Sequence, residues 1–130
     1  MDPKLIARVY AGGRVLFGVG LLVAPGALAE RWIGDVARRP GVRALARSVG
    51  VRDVVMGMIA LHTVEHPEVG PRWQATCGAV DAVDLVATLA AAADIPATGV
   101  IGAALVTAPA AVTGLWLSRA LKAAAAADAA

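Results

Sequence analysis

Four stretches of this chain stay apolar for roughly 20 residues at a time, the length a helix needs to cross about 30 Å of hydrocarbon. They run from about Leu5 to Leu28, Ala44 to Val64, Trp73 to Ala93 and Ala97 to Leu117. Polar and helix-breaking residues gather between them: Glu30 through Arg43, then Glu65-His66-Pro67-Glu68-Val69-Gly70-Pro71-Arg72, then Asp94-Ile95-Pro96. The last two joints are short, so the helices they connect must be antiparallel. The pattern predicts an all-α fold, a four-transmembrane-helix antiparallel bundle forming one domain over residues 1–122. The Ala-rich tail at 123–130 is expected to be disordered.

Composition supports the membrane reading. Of the 130 residues, 58% are hydrophobic and 17% charged, against about 45–50% and about 25% for a soluble domain. A soluble four-helix bundle would need a polar outer face, which these segments lack. The expected environment is therefore the lipid bilayer of the cell (plasma) membrane, crossed several times. The net charge is only +2, and no stripe of Lys and Arg runs beside aromatics, so nucleic-acid binding is not expected. The single cysteine, Cys77, rules out an internal disulfide. The N-terminal stretch imitates a signal peptide, with a basic start and small residues near Ala27-Leu28-Ala29. Arg14 interrupts it and similar runs recur downstream, so it reads as a retained span.

The long first connector leaves room for a short interfacial helix, and Trp32 and Trp73 flank span ends at the depth indoles prefer. Glycines within the spans allow close backbone approach in lipid, where burial from water no longer drives association. With the N-terminus inside, Lys4, Arg8, Arg72, Arg119 and Lys122 face Arg31, Arg38, Arg39 and Arg43 on the other side, a balance that sets no orientation.

Against this apolar background the ionisable residues stand out. Arg52 and Asp53 fall near the middle of the second span, Asp81 and Asp84 near the middle of the third, and Arg14 within about one turn of the centre of the first. An unpaired charge at that depth costs ~2.5–3.5 kcal/mol or more. The five are expected to meet inside the bundle, Arg14 and Arg52 against Asp53, Asp81 and Asp84. In the third span Gln74, Cys77, Asp81, Asp84 and Thr88 recur at steps of three or four, forming one polar stripe. Gly50, Asp53 and Gly57 share a face of the second span, with Ser48 one turn before Arg52. Tyr10, Arg14 and Gly18 align in the first. The fourth offers Thr107 and a kink at Pro109.

Two bases neutralise only two of the three acids. Neighbouring carboxylates in a dry site tend to share a proton, which supplies a neutral acid beside an ionised base. The alternative is a purely structural ion network, but an unbalanced buried cluster is a poor source of stability.

Other signals are weaker. His62-Thr63-Val64-Glu65-His66 spells an inverted zinc-peptidase motif, but Pro67 follows at once, no third ligand is evident and the chain is too short for that fold. These residues read as polar caps at the membrane surface. Cys77 reads as a packing residue because no histidine accompanies it at that depth. No nucleotide, haem or metal motif is recognisable, so no cofactor is expected.

The stretches RVLFGVGLL from Arg14, RSVGVRDVVMG from Arg47 and DAVD from Asp81 resemble small four-helix membrane proteins common in actinobacteria. Those families are catalogued largely as domains of unknown function and are distantly similar to the DoxX-like group. The resemblance covers nearly the whole chain, and its distinctive parts are the Arg-Asp pair and the Asp-x-x-Asp. It implies a four-helix membrane fold and no particular activity, because DoxX-like proteins are functionally diverse.

The function expected from the residues is an integral membrane enzyme acting on a small lipophilic substrate. An Asp-Arg-Asp set suits epoxide opening, by hydrolysis or cyclisation, and parallels in role the limonene-epoxide-hydrolase type of site on an unrelated soluble fold. Asp84 or Asp53 would be the base, Asp81 the acid, and Arg52 or Arg14 the orienter. Tyr10, Ser48, Cys77, Thr88 and Thr107 would line the substrate site. Two other readings stand beside it: a proton-coupled carrier, which with four spans would act as a homodimer, and an accessory subunit with a structural ion network.

Overall fold

A computed structural model describes residues 2–128, and among them the chain is helical throughout, with no strand. Five α-helices follow in order: α1 (Pro3–Val23), α2 (Pro25–Ile33), α3 (Pro40–Thr63), α4 (Val69–Ala90) and α5 (Ala97–Asp128). A single 3-10 helix, Gly34–Arg38, lies between α2 and α3.

Prolines set the boundaries. Asp2 caps α1 by accepting the Lys4 amide at 2.9 Å, and Pro3 occupies the first helical position, where a missing N–H costs nothing. The first apolar run does not continue as helix to Leu28. Pro25 drives the preceding Ala24 out of helical conformation (φ −129°, ψ 57°), and α1 ends at Val23. Its 21 residues still span about 31 Å. Next, α2 folds back so that Leu28 reaches Gly20, and it stops at Gly34, whose φ of +70° lies in the left-handed region glycine tolerates. The long connector thus holds a short helix, as expected. Arg39, extended ahead of Pro40, starts α3 in the same way. At the other end of the chain, α5 runs through Pro109 and past Lys122. The alanine run from Ala123 is helix as far as Asp128, and the last two residues of the expected tail lie outside the described residues.

The helices pack as two intimate antiparallel pairs, α1 with α3 and α4 with α5. Glycine makes both possible. A Cβ on Gly18 would lie 2.6 Å from the Gly50 carbonyl oxygen, and one on Gly57 would lie 2.8 Å from that of Ala11. A Cβ on Gly78 would meet the Ala111 oxygen at 2.8 Å, and one on Gly114 the Gly78 backbone at 2.7 Å. Gly50→Ala should therefore force the α1 and α3 backbones apart and cost about 1–3 kcal/mol. Gly12→Ala, with nothing within 4 Å of the new methyl, should gain about 1 kcal/mol of helix propensity instead. Thermal unfolding in detergent should move the two midpoints in opposite directions.

Polarity is distributed inside out. The buried apolar residues are mainly small, as in the cluster of Ala11, Ala60 and Cys77. Arg14, Asp53, Gln74 and Asp81 are buried with them, whereas Leu16, Val23, Leu45, Val83, Leu105 and Val112 are each more than 60% exposed. Two helices, α1 and α5, are long and apolar enough to cross a membrane. The charged residues of α3 (Arg43, Arg47, Arg52, Asp53) and α4 (Arg72, Asp81, Asp84) lower the apolar character of those two.

Candidate functional site

The glycine contacts place the charges. Gly18 meets Gly50 and Ala11 meets Gly57, so Arg14 and Asp53, midway between these points, are laid against each other across the α1–α3 seam. Arg14 Nη1 donates to Asp53 Oδ1 at 2.8 Å. Its Nη2 donates to Asp81 Oδ1 and, at 3.3 Å, to the Cys77 carbonyl of α4. One guanidinium thereby ties three helices together. The Tyr10 hydroxyl donates to Asp81 Oδ2 at 2.6 Å, so both oxygens of Asp81 are engaged. Arg52 grips Asp84 with two bonds, 3.0 Å from Nη1 and 2.7 Å from Nη2, and its Nε reaches Asp53 Oδ1 at 3.3 Å. All five charged residues that the sequence places at one depth lie in a single chain of contacts, Tyr10–Asp81–Arg14–Asp53–Arg52–Asp84.

The chain has a dry half and an open half. The side chains of Arg14, Asp53 and Asp81 are 6%, 7% and 10% exposed, those of Arg52 and Asp84 34% and 24%. Asp81 and Asp84 do not form a carboxylate pair of their own, because each is held by a different arginine. Asp53 is the acid both arginines share. It accepts from both through Oδ1, and its Oδ2 receives no hydrogen bond among the described residues.

This cluster floors a cavity of about 400 Å³. Phe17 and Leu21 of α1, Leu28 and Trp32 of α2, and the face of α5 from Gly99 to Ala110 form its walls. Tyr10 and Thr107 line it, as expected of them, although the Thr107 hydroxyl is spent on the Ala103 carbonyl at 2.9 Å. Ser48, Cys77 and Thr88 do not line it. Ser48 sits two residues, about 200°, around α3 from the buried Gly50; it is exposed and donates to Ala44 of its own helix. Cys77 is fully buried against α1 and offers only its carbonyl. Thr88 is buried and donates to the Asp84 carbonyl at 2.8 Å.

Trp32, expected beside a span end, lies at the end of α2 against the start of α5, where only a glycine at position 99 leaves room for the Trp32 carbonyl, and it also lines the cavity, a role the spacing did not announce. Its Nε1 is buried without an acceptor, and both amide atoms of Gln74 are buried without a hydrogen-bond partner. The HxxEH residues behave as surface polar groups: Glu65 pairs with Lys4 at 3.0 Å and with Arg8.

Chemically, the site combines a carboxylate oxygen with free lone pairs, two pinned guanidiniums, a phenol–carboxylate pair able to pass a proton and apolar walls that limit water. A scan against protein-family models finds no match to this chain, and neither do searches among curated proteins and solved structures.

Proposed function

We propose that the chain spans the membrane four times and that the cavity is the site of a membrane enzyme performing acid/base chemistry on a small lipophilic substrate, epoxide opening above all. The membrane part is supported by the exposed belts of α3 (Leu45, Val51, Val55, Met58) and α4 (Val83, Val86, Leu89). Both helices turn their central charges into the bundle and present aliphatic side chains outward, as lipid requires. The resemblance to small four-helix membrane proteins fits this reading.

The observation that carries the chemistry is the free Oδ2 of Asp53 on the wall of an apolar cavity. Arg14 and Arg52 fix the opposite oxygen, so the carboxylate is oriented without being used up. In the proposed reaction Asp53 Oδ2 takes a proton from water as the water oxygen attacks an epoxide carbon. The carbon–oxygen bond of the ring breaks, and the released oxygen receives the proton of the Tyr10 hydroxyl, which Asp81 holds in place by accepting from it. The proton on Asp53 passes to the Tyr10 oxygen through cavity water, completing addition of one water to the epoxide.

The test is a panel of lipophilic epoxides offered to the purified protein in isotope-labelled water. One labelled oxygen per diol is expected from at least one substrate. No incorporation across the panel overturns hydrolysis as the reaction. Gly102→Leu supplies the control, because Gly102 lines the cavity and a Cβ there meets nothing within 4 Å. The leucine should fill the cavity, cut turnover by about 10²-fold and leave the melting temperature unchanged or raised.

A further inference from the structure

The cavity has an opening in its side. At one end α1 and α5 meet where Ala7 packs with Leu117 and Leu121. At the other end α2 lies between them, with Leu28 against Gly20 of α1 and the Trp32 carbonyl against Gly99 of α5. Between these two closures the helices are parted. Gly13 of α1 and Gly102 of α5 both line the cavity, and a Cβ on either would meet nothing within 4 Å. One turn along each helix, Phe17 and Val106 line it too, yet they are 45% and 64% exposed. A side chain that lines a cavity and is this exposed stands at an opening. The adjacent Leu16 and Leu105, 73% and 71% exposed, belong to the outer apolar surface, so the slit opens onto that surface.

Helix length sets the depth of the slit. Gly13 is the middle of the 21 residues of α1, about 15 Å of rise from either end. With α1 spanning the bilayer, that is the centre of the hydrocarbon, and the neighbouring Arg14 begins the charge cluster at the same level. The rim formed by Gly13, Phe17, Gly102 and Val106 carries no charged or hydrogen-bonding side chain. A charge brought to that depth from outside would cost ~2.5–3.5 kcal/mol or more, and phospholipid headgroups stay at the interface, about 15 Å away.

We infer that the slit between Gly13–Phe17 and Gly102–Val106 is the entry port of the cavity, and that its substrates are uncharged molecules dissolved in the bilayer interior, apolar except for the oxygen that reacts. This rests on the membrane-spanning reading and on the cavity as the site, and it names the substrate class: neutral lipids without a headgroup, as opposed to ionised amphiphiles. A molecule passing the slit meets Arg14 and Asp53 at its own depth and leaves the hydrocarbon only with its oxygen.

Bromine quenching of Trp32, which lines the cavity, tests the port without turnover. Protein in vesicles of unbrominated lipid receives either a brominated alkane or an alkyl sulfonate brominated along a chain of the same length, at equal mole fractions in the bilayer. Subtracting the signal of Trp32→Phe removes the contributions of Trp73 and Trp116. Subtracting the quenching seen in Gly102→Leu, whose side chain fills the cavity, removes that of molecules outside it. The alkane is expected to saturate the remaining signal at a mole fraction more than about tenfold below that of the sulfonate, whose charge resists the midplane. Gly13→Phe narrows the slit in space that is open, and should slow the onset of alkane quenching several-fold or abolish it. Equal quenching by the two probes overturns the neutral substrate class. An unchanged onset in Gly13→Phe overturns the port. If both quenching results are as expected and no epoxide is opened, the reading of the site as an epoxide-opening enzyme falls alone. If Gly13→Phe forms labelled diol at the parent's rate, the port falls and the enzyme stands.

Discussion

Arg14→Met is expected to lower the stability of the protein by about 3–5 kcal/mol, the usual cost of removing one partner from a buried ion network. Methionine fills the same path along the helix, so little packing is lost. What is lost is the cation between Asp53 and Asp81, both under 11% exposed in their side chains. Two carboxylates would then face each other in a dry interior with only Tyr10 and Arg52 as donors. Against a total stability of about 5–15 kcal/mol, that suffices to leave much of the protein unfolded in detergent at ambient temperature. Arg14→Lys should rescue only part, because an ammonium cannot reach Asp53, Asp81 and the Cys77 carbonyl at once as the planar guanidinium does. Combining Arg14→Met with Asp53→Asn and Asp81→Asn should recover most of the loss, since it removes the charges together. Thermal unfolding of the four proteins checks the series. A melting temperature for Arg14→Met close to the parent's would show that the seam is held by its glycines alone.

Asp53→Asn is expected to behave in the opposite way. Asparagine keeps an acceptor for Arg14 and Arg52 at the Oδ1 position and places a neutral amide where the free Oδ2 faces the cavity. The cluster then has two acids for two bases, so stability should hold or rise, as it does where a residue is kept at a cost to the fold. Turnover should fall by about 10²–10⁴-fold, the range for losing a general base. Melting temperature and labelled-water incorporation, measured on the same preparation, decide the matter. A large loss of stability with Asp53→Asn would make the cluster a structural ion network, and the accessory-subunit reading would then take precedence over the enzyme.

The two predictions divide the cluster between a lock at Arg14 and a site at Asp53, a division the sequence did not contain. Spacing alone placed all five charges at one depth and on inward faces, because helical rise and 100° of turn per residue are local properties. It did not distinguish Asp53 from Asp81 and Asp84, and it favoured the latter two as a pair since they lie one turn apart. Which arginine lies between which acids depends on the register of α1 against α3, fixed by Gly18 on Gly50 and Gly57 on Ala11. Ser48, Thr88 and Cys77 were expected at the site for the same reason that Asp53 was: each carries a polar group near the right depth. Two of the three instead satisfy a carbonyl of their own helix, and Cys77 lends only its backbone.

The helices themselves were determined by the sequence. Apolar length and the positions of Pro3, Pro25 and Pro40 act within a few residues, and they set where helix starts and stops. The charge stripe and the small residues that let backbones touch were legible for the same reason. The cavity was decided by tertiary structure alone. Its lining comes from all five α-helices at once, and one wall exists because α2 folds back after Pro25 and presses on Gly99. Open space, unlike a helix, has no local signature; it is what remains after every element has packed.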